Sequence, residues 1–149
     1  MLVTGCSGSA KTTPAAALAV RLGIPHQELD ALFHGPGWVP RPTFVAERSL
    51  LLARTDLLVW LDLSRTRVFT QLLSRTVVRR VRRVELWNGN YEPPLHTIFT
   101  DPEHVVRWAW GSYVRIGPRV QDVLAQPGHP VVVRLRSRRE IRRWLAQLA

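Results

Sequence analysis

Nine consecutive residues near the start of the chain could do chemistry: Gly5, Cys6, Ser7, Gly8, Ser9, Ala10, Lys11, Thr12 and Thr13. Their order follows the phosphate-loop pattern G-x-x-x-x-G-K-[ST], with Ala10 where the second glycine belongs. In such a loop, successive backbone N–H groups point at phosphate oxygens, and the N-terminus of the following helix adds partial positive charge. A lysine reaches the outer phosphates and the next hydroxyl holds Mg²⁺. Those roles fall to Lys11 and Thr12. The Cβ of Ala10 is expected to crowd the phosphates or to oppose the backbone angles that glycine allows. Lys11 is the only lysine among 21 basic residues. Arginine has taken every other basic position, so a compact ammonium is kept at this one.

A second group is arginine-based. Arg75, Arg79 and Arg83 are four apart and share one face of a helix, with Arg82 close by. The irregular stretch 84–102 follows them. Arginines beside such a loop read as a lid that binds a transferring phosphoryl group and offsets its charge. A solvated basic face or a nucleic-acid patch is the other reading of the same residues. Asp30 is expected at the end of a strand, where ligands bind in open α/β sheets. There it orients a substrate hydroxyl or a Mg²⁺-bound water, or only caps a turn. Asp62 ends the most apolar strand and is read as a turn or cap residue before it is read as a magnesium-side acid. The five histidines show no metal-ligand spacing. Cys6 is not expected to be a catalytic thiol. The six tryptophans are expected in the core or as loop anchors, with Trp108 and Trp110 on different faces of one helix.

The elements that must position these groups alternate along the chain. Residues 1–4 predict a strand and 14–22 a helix, which Gly23 and Pro25 stop. Residues 26–29 predict a short strand. A loop rich in Gly, Pro and Trp follows to Pro42, and Thr43 caps a helix that runs to about Arg54 with Glu47 in its first turns. Leu57-Leu58-Val59-Trp60-Leu61 is continuously apolar, as a strand covered on both faces should be. A helix from Ser64 to Arg83 comes next. Asp101-Pro102 opens a helix to about Ala125, residues 131–135 form the last strand, and Ser137 caps a closing helix over 138–148. Strand and helix alternate, so the class is α/β with a mainly parallel sheet, in one domain over residues 1–149.

Charge narrows the partners. The formal net charge is +10, which suits an anionic partner. Seven arginines and no acid lie between Leu63 and Val84, and a second cluster runs from Arg134 to Arg143. No apolar run approaches the roughly 18 residues of a membrane span. One cysteine allows no disulfide within the chain and fits a reducing compartment, so the cytoplasm is the expected location and no membrane partner is expected.

The chain resembles the adenylate-kinase-like P-loop kinases, and among them the small bacterial branch labelled topology modulation proteins. The likeness rests on Gly5 through Thr13 and on Leu29-Asp30-Ala31-Leu32-Phe33. It continues through Gly35-Pro36-Gly37-Trp38-Val39-Pro40-Arg41-Pro42, Val59-Trp60-Leu61-Asp62-Leu63 and the arginine-rich helix. The resemblance implies a three-layer P-loop NTPase fold with five parallel strands, ATP and Mg²⁺ on the loop, and a lid carrying Arg75 and Arg79. It also makes Asp30 the acid that follows the second strand in related small-molecule kinases. Nothing in these residues explains a link to DNA topology.

Two departures stand out. One is Ala10. The other is length: only about sixteen residues separate Pro42 from Val59, where the family has two helices and a strand. The break falls near Glu47–Arg48. Four strands are therefore expected instead of five, with the 57–62 strand between 1–4 and 131–135. The 26–29 strand either pairs with 1–4 or hangs at the edge. The expected function is transfer of phosphate from ATP to an unidentified small or nucleotide acceptor, impaired by the missing segment. A nucleotide-binding protein without turnover and a basic nucleic-acid-binding module are the alternatives, the last not favoured.

Overall fold

The computed structural model describes residues 1–41 and 50–148. Three strands form one parallel sheet in the order β1 (Leu2–Gly5), β2 (Leu57–Leu61) and β3 (Val131–Leu135). Val3 lies opposite Val59, and Val59 opposite Val133. The class is thus α/β, with the apolar strand in the middle as its composition requires.

Period-two alternation sends the side chains of β2 to opposite faces. Leu58 and Trp60 pack with Val120, Ile116 and Val123 of α5 (Val105–Leu124). Val59 and Leu61 pack with Ile141 and Trp144 of α6 (Arg138–Ala146). Helices therefore cover both faces, which is why β2 is buried from Leu58 onward. Beside α6 lies α1 (Thr12–Leu22), tied to it by the Arg21 guanidinium on the carbonyl of Leu145. Gly23, at φ +63°, ends α1 by returning its N–H to the last turn.

On the other face, α3 (Arg65–Val81) packs against α5. Cys6, Leu63, Val68, Phe69, Leu72, Val106 and Ala109 form one buried cluster there. This cluster seats the loop after β1 against both helices.

The 26–29 strand is absent. Residues 26–28 form neither helix nor strand, and Leu29–Phe33 is a short helix, α2. Among the described residues the sheet has three strands, not the four expected. The physical reason is that His26 and Gln27 are exposed and Glu28 is polar, so the segment has no apolar face to lay against β1. Asp30 consequently sits in the first turn of α2 rather than at a strand end. The helix expected to open at Asp101-Pro102 begins later. A four-residue helix, α4 (Thr97–Thr100), comes first, and His104 caps α5 by accepting from the Val106 N–H at 3.2 Å. Ser137 caps α6 as expected, accepting from the Glu140 N–H at 3.1 Å. The helix expected from Thr43 is described only at its end, over residues 50–53; Thr43, Glu47 and Arg48 lie outside the described residues. No helix among the described residues is long and apolar enough to cross a membrane.

Candidate phosphate-binding site

The loop from Cys6 to Lys11 joins the end of β1 to the start of α1. The N–H of Ser9 donates to the Cys6 carbonyl at 3.0 Å and closes the turn. Gly8 is buried against α3 at φ +91°, and a Cβ there would stand 2.5 Å from the Val68 carbonyl and 2.8 Å from Leu72 Cβ. Only glycine lets the loop pack this closely. Gln71 of α3, with its amide turned as its neighbours require, donates to the Gly8 carbonyl and accepts from Arg138, each at 3.0 Å. The loop is thereby held from α3 and α6 together.

Ala10 is exposed and adopts φ +58°. At that φ the alanine costs backbone energy. A left-handed conformation costs a non-glycine residue about 1–2 kcal/mol.

Lys11 folds back over the loop. Its Nζ donates to the Gly5 carbonyl at 3.0 Å and to the Cys6 carbonyl at 3.2 Å. Burial pushes its ammonium below the ordinary lysine value; Asp30 and Cys6 work against that shift, Arg75 adds to it, and Glu28 opposes it. Thr12 and Thr13 are exposed in the first turn of α1, and no side chain caps that helix. Its first N–H groups are left for an external acceptor. The Ser9 hydroxyl, buried inside the loop, has no hydrogen-bond partner among the described residues. Ser7 is half-buried on the rim.

The arginines reach the same place. Arg75 and Arg79 lie one turn apart on α3. Burial lowers the Arg75 pKa, Arg79 lowers it further, and Glu92, Asp30 and Glu28 oppose the shift. Arg75 Nε is buried without a partner. Lys11, Asp30 and Arg75 therefore feel one another's charge, and Arg75 feels that of Arg79, although these residues come from three different stretches of chain. Arg82 and Arg83 are exposed beyond the end of α3; Arg82 is its C-cap, and Arg83 adopts φ +47°.

Sequence reasoning missed two acids. Glu92 lies in the stretch after α3, is 5% exposed, and places Oε1 3.6 Å from Arg79 Nη1. Glu28 precedes α2 and accepts from the indole N–H of Trp87 at 2.6 Å. The only signal for Glu92 was its position just after a helix with no acid. Asn90 is buried as well: its Oδ1 accepts from the Trp38 N–H, and its Nδ2 donates to the carbonyls of Gly35 and Trp87.

Asp62 has a structural partner. Its carboxylate accepts from Arg134 Nε at 2.9 Å, and Arg134 stacks over the Trp60 ring at 4.4 Å. The cleft of about 200 Å³ beside it, lined in part by Cys6, Tyr113 and Arg134, has its polar groups paired internally. Arg65 lies 3.5 Å from the centre of the Trp110 ring, which in turn meets Phe69 edge-on. Among the described residues, no three of His, Cys, Asp and Glu group as metal ligands.

A scan of protein-family models, a search of curated proteins and a search of solved structures each found no match to this chain.

Proposed function

We propose that this chain is an ATP-binding P-loop phosphotransferase of the adenylate-kinase-like type, with the P-loop NTPase fold reduced to three strands and with slow transfer to its acceptor. The observation that carries the reading is the pose of Lys11: the only lysine of the chain, drawn into the loop after β1 by the Gly5 and Cys6 carbonyls. No salt bridge satisfies it there among the described residues. A polyphosphate would supply the counter-charge that burial withholds.

The residues fit Mg-ATP. The uncapped start of α1, the unpartnered Ser9 hydroxyl and the unpartnered Arg75 Nε all face the need for an anion. ATP supplies the transferable phosphoryl group, and Mg²⁺ offsets its charge. Lys11 would bind the outer phosphates, the N–H groups from Gly8 to Thr13 would orient them, and Thr12 would carry the metal ligand. Arg75 and Arg79 would offset charge on the transferring group. Asp30, exposed on α2 and coupled to Lys11 and Arg75, would accept a hydrogen bond from an acceptor hydroxyl or a Mg²⁺-bound water.

Titration calorimetry with Mg-ATP and Mg-ADP tests this. Wild type should bind both and Lys11→Ala neither. Absence of binding to wild type overturns the reading. The exposed arginines of α3 and α6 support the nucleic-acid alternative; binding to DNA that survives Lys11→Ala and falls steeply with salt would favour it.

A further inference from the structure

Arg79 is not free in this structure. Glu92 is buried, yet its carboxylate stands 3.6 Å from Arg79, beyond hydrogen-bond length, and its charge also reaches Arg75. Its backbone carbonyl accepts from Arg80 Nη1 at 3.3 Å, which fixes the chain at that point to the end of α3. A buried carboxylate needs a counter-charge, and a pair of arginines one turn apart repel each other without an anion between them. Glu92 meets both needs at once, through a contact loose enough to exchange.

We propose that Glu92 is a positioning residue: it acts as an internal anion that holds Arg79, one turn from Arg75, in place of phosphate, and from which phosphate takes Arg79 over. This rests on the phosphate-binding reading of the loop. Two consequences follow. Glu92 competes with the ligand, so neutralising it tightens polyanion binding. Glu92 also keeps Arg79 oriented, so neutralising it slows any transfer that Arg79 assists. A side chain that only stabilised the fold would not move these two quantities in opposite directions.

The test compares wild type, Glu92→Gln and Glu92→Asp by calorimetry with inorganic tripolyphosphate and with Mg-ATP, at low and high salt, alongside ATP turnover. Glu92→Gln should bind tripolyphosphate roughly fivefold to tenfold tighter than wild type at low salt, with the gain shrinking as salt rises. Its turnover should fall. Glu92→Asp, which keeps the charge but draws it back from Arg79, should bind tighter than wild type by less than Glu92→Gln does, and serves alone if Glu92→Gln does not fold: there, binding equal to or weaker than wild type would overturn the proposal. Wild type that binds tripolyphosphate while Glu92→Gln binds it equally or more weakly overturns the role of Glu92 and leaves the loop reading intact. Failure of every variant to bind either anion overturns both.

Discussion

The indole N–H of Trp87 meets the carboxylate of Glu28 at 2.6 Å, joining segments 59 residues apart in sequence. It is one strand of a larger tie. Asn88 donates to the carbonyls of Ala31 and His34, Trp38 donates its indole N–H to the Tyr91 carbonyl, and the His34 ring lies between those of Trp38 and Trp87. The residues after the arginine helix are thus docked on the residues around α2. Glu28 and Asp30 of one segment bring charge to Lys11 and Arg75, and Glu92 of the other brings it to Arg75, so their docking sets the electrostatics of the site.

Asn90 is the buried centre of that tie, with three side-chain hydrogen bonds to residues of both segments and of its own turn. Asn90→Ala leaves the Trp38 N–H and the Gly35 carbonyl without partners. Each buried group so orphaned costs about 1–3 kcal/mol. Chemical denaturation should show a loss of about 2–3 kcal/mol, and amide exchange should rise at 34–38 and 87–91 ahead of the sheet. Unchanged exchange there would mean that the two segments are held by other contacts.

The sequence made the sheet core legible because its strands carry unbroken apolar runs: Leu57 to Leu61 and Val131 to Val133 allow no other placement. It made the loop legible because glycine, lysine and threonine fall at fixed spacing between a strand and a helix. It misleads at residues 26–29, where a short stretch between punctuating residues reads as a strand although nothing apolar lies at Gln27 or Glu28. The docking of Trp87, Asn88 and Asn90 on the other loop was not legible. Asn88-Gly89-Asn90 signals a turn, which it forms, but a turn signal says nothing about which distant carbonyls its side chains will meet.

Ala10 is exposed and stands at φ +58°. Ala10→Gly removes a left-handed penalty of about 1–2 kcal/mol and adds an unfolded-state entropy cost of about 0.5–1 kcal/mol. The net gain of about 0.5 kcal/mol should raise Tm by about 2 °C, read by calorimetry. Mg-ATP affinity should rise as well, since a glycine loop adjusts to phosphates without added strain. A fall in Tm would show that the alanine conformation is not strained in solution.

Lys11 supplies a pH signature. Burial depresses its pKa in the folded protein, so the unfolded chain binds more protons between that lowered value and the ordinary lysine value of about 10.4. Stability conferred by relief of the buried charge therefore rises with pH through that window and is complete above it. Cys6, whose pKa burial raises, contributes the opposite slope above its ordinary range, and it does so in any variant that keeps it. The Tm of nucleotide-free wild type minus that of Lys11→Met should increase from pH 8 to pH 10. A flat difference would mean that the ammonium is solvated in the loop.

Turnover tests how the parts divide. On the proposed reading, Lys11 and the uncapped end of α1 would act on phosphates in both ground and transition states, whereas Arg79 is held at one remove by Glu92. Phosphoryl transfer is mostly positioning and charge stabilisation, and positioning contributes about 7–11 kcal/mol in favourable cases. The sheet has three strands among the described residues, and on the proposed resemblance the segment that would hold an acceptor is short. ATP should therefore bind while transfer stays below the ordinary kinase range of about 1–100 per second, with hydrolysis to water competing. Removing Arg79 as Arg79→Ala should lower the remaining turnover by about 10²-fold, the cost of losing one donor to developing charge. ADP binding should weaken far less, because ADP lacks the transferring group. Equal losses in ADP affinity and turnover would place Arg79 on the ground-state phosphates. Turnover of tens per second on any acceptor would show that the shortened segment is dispensable.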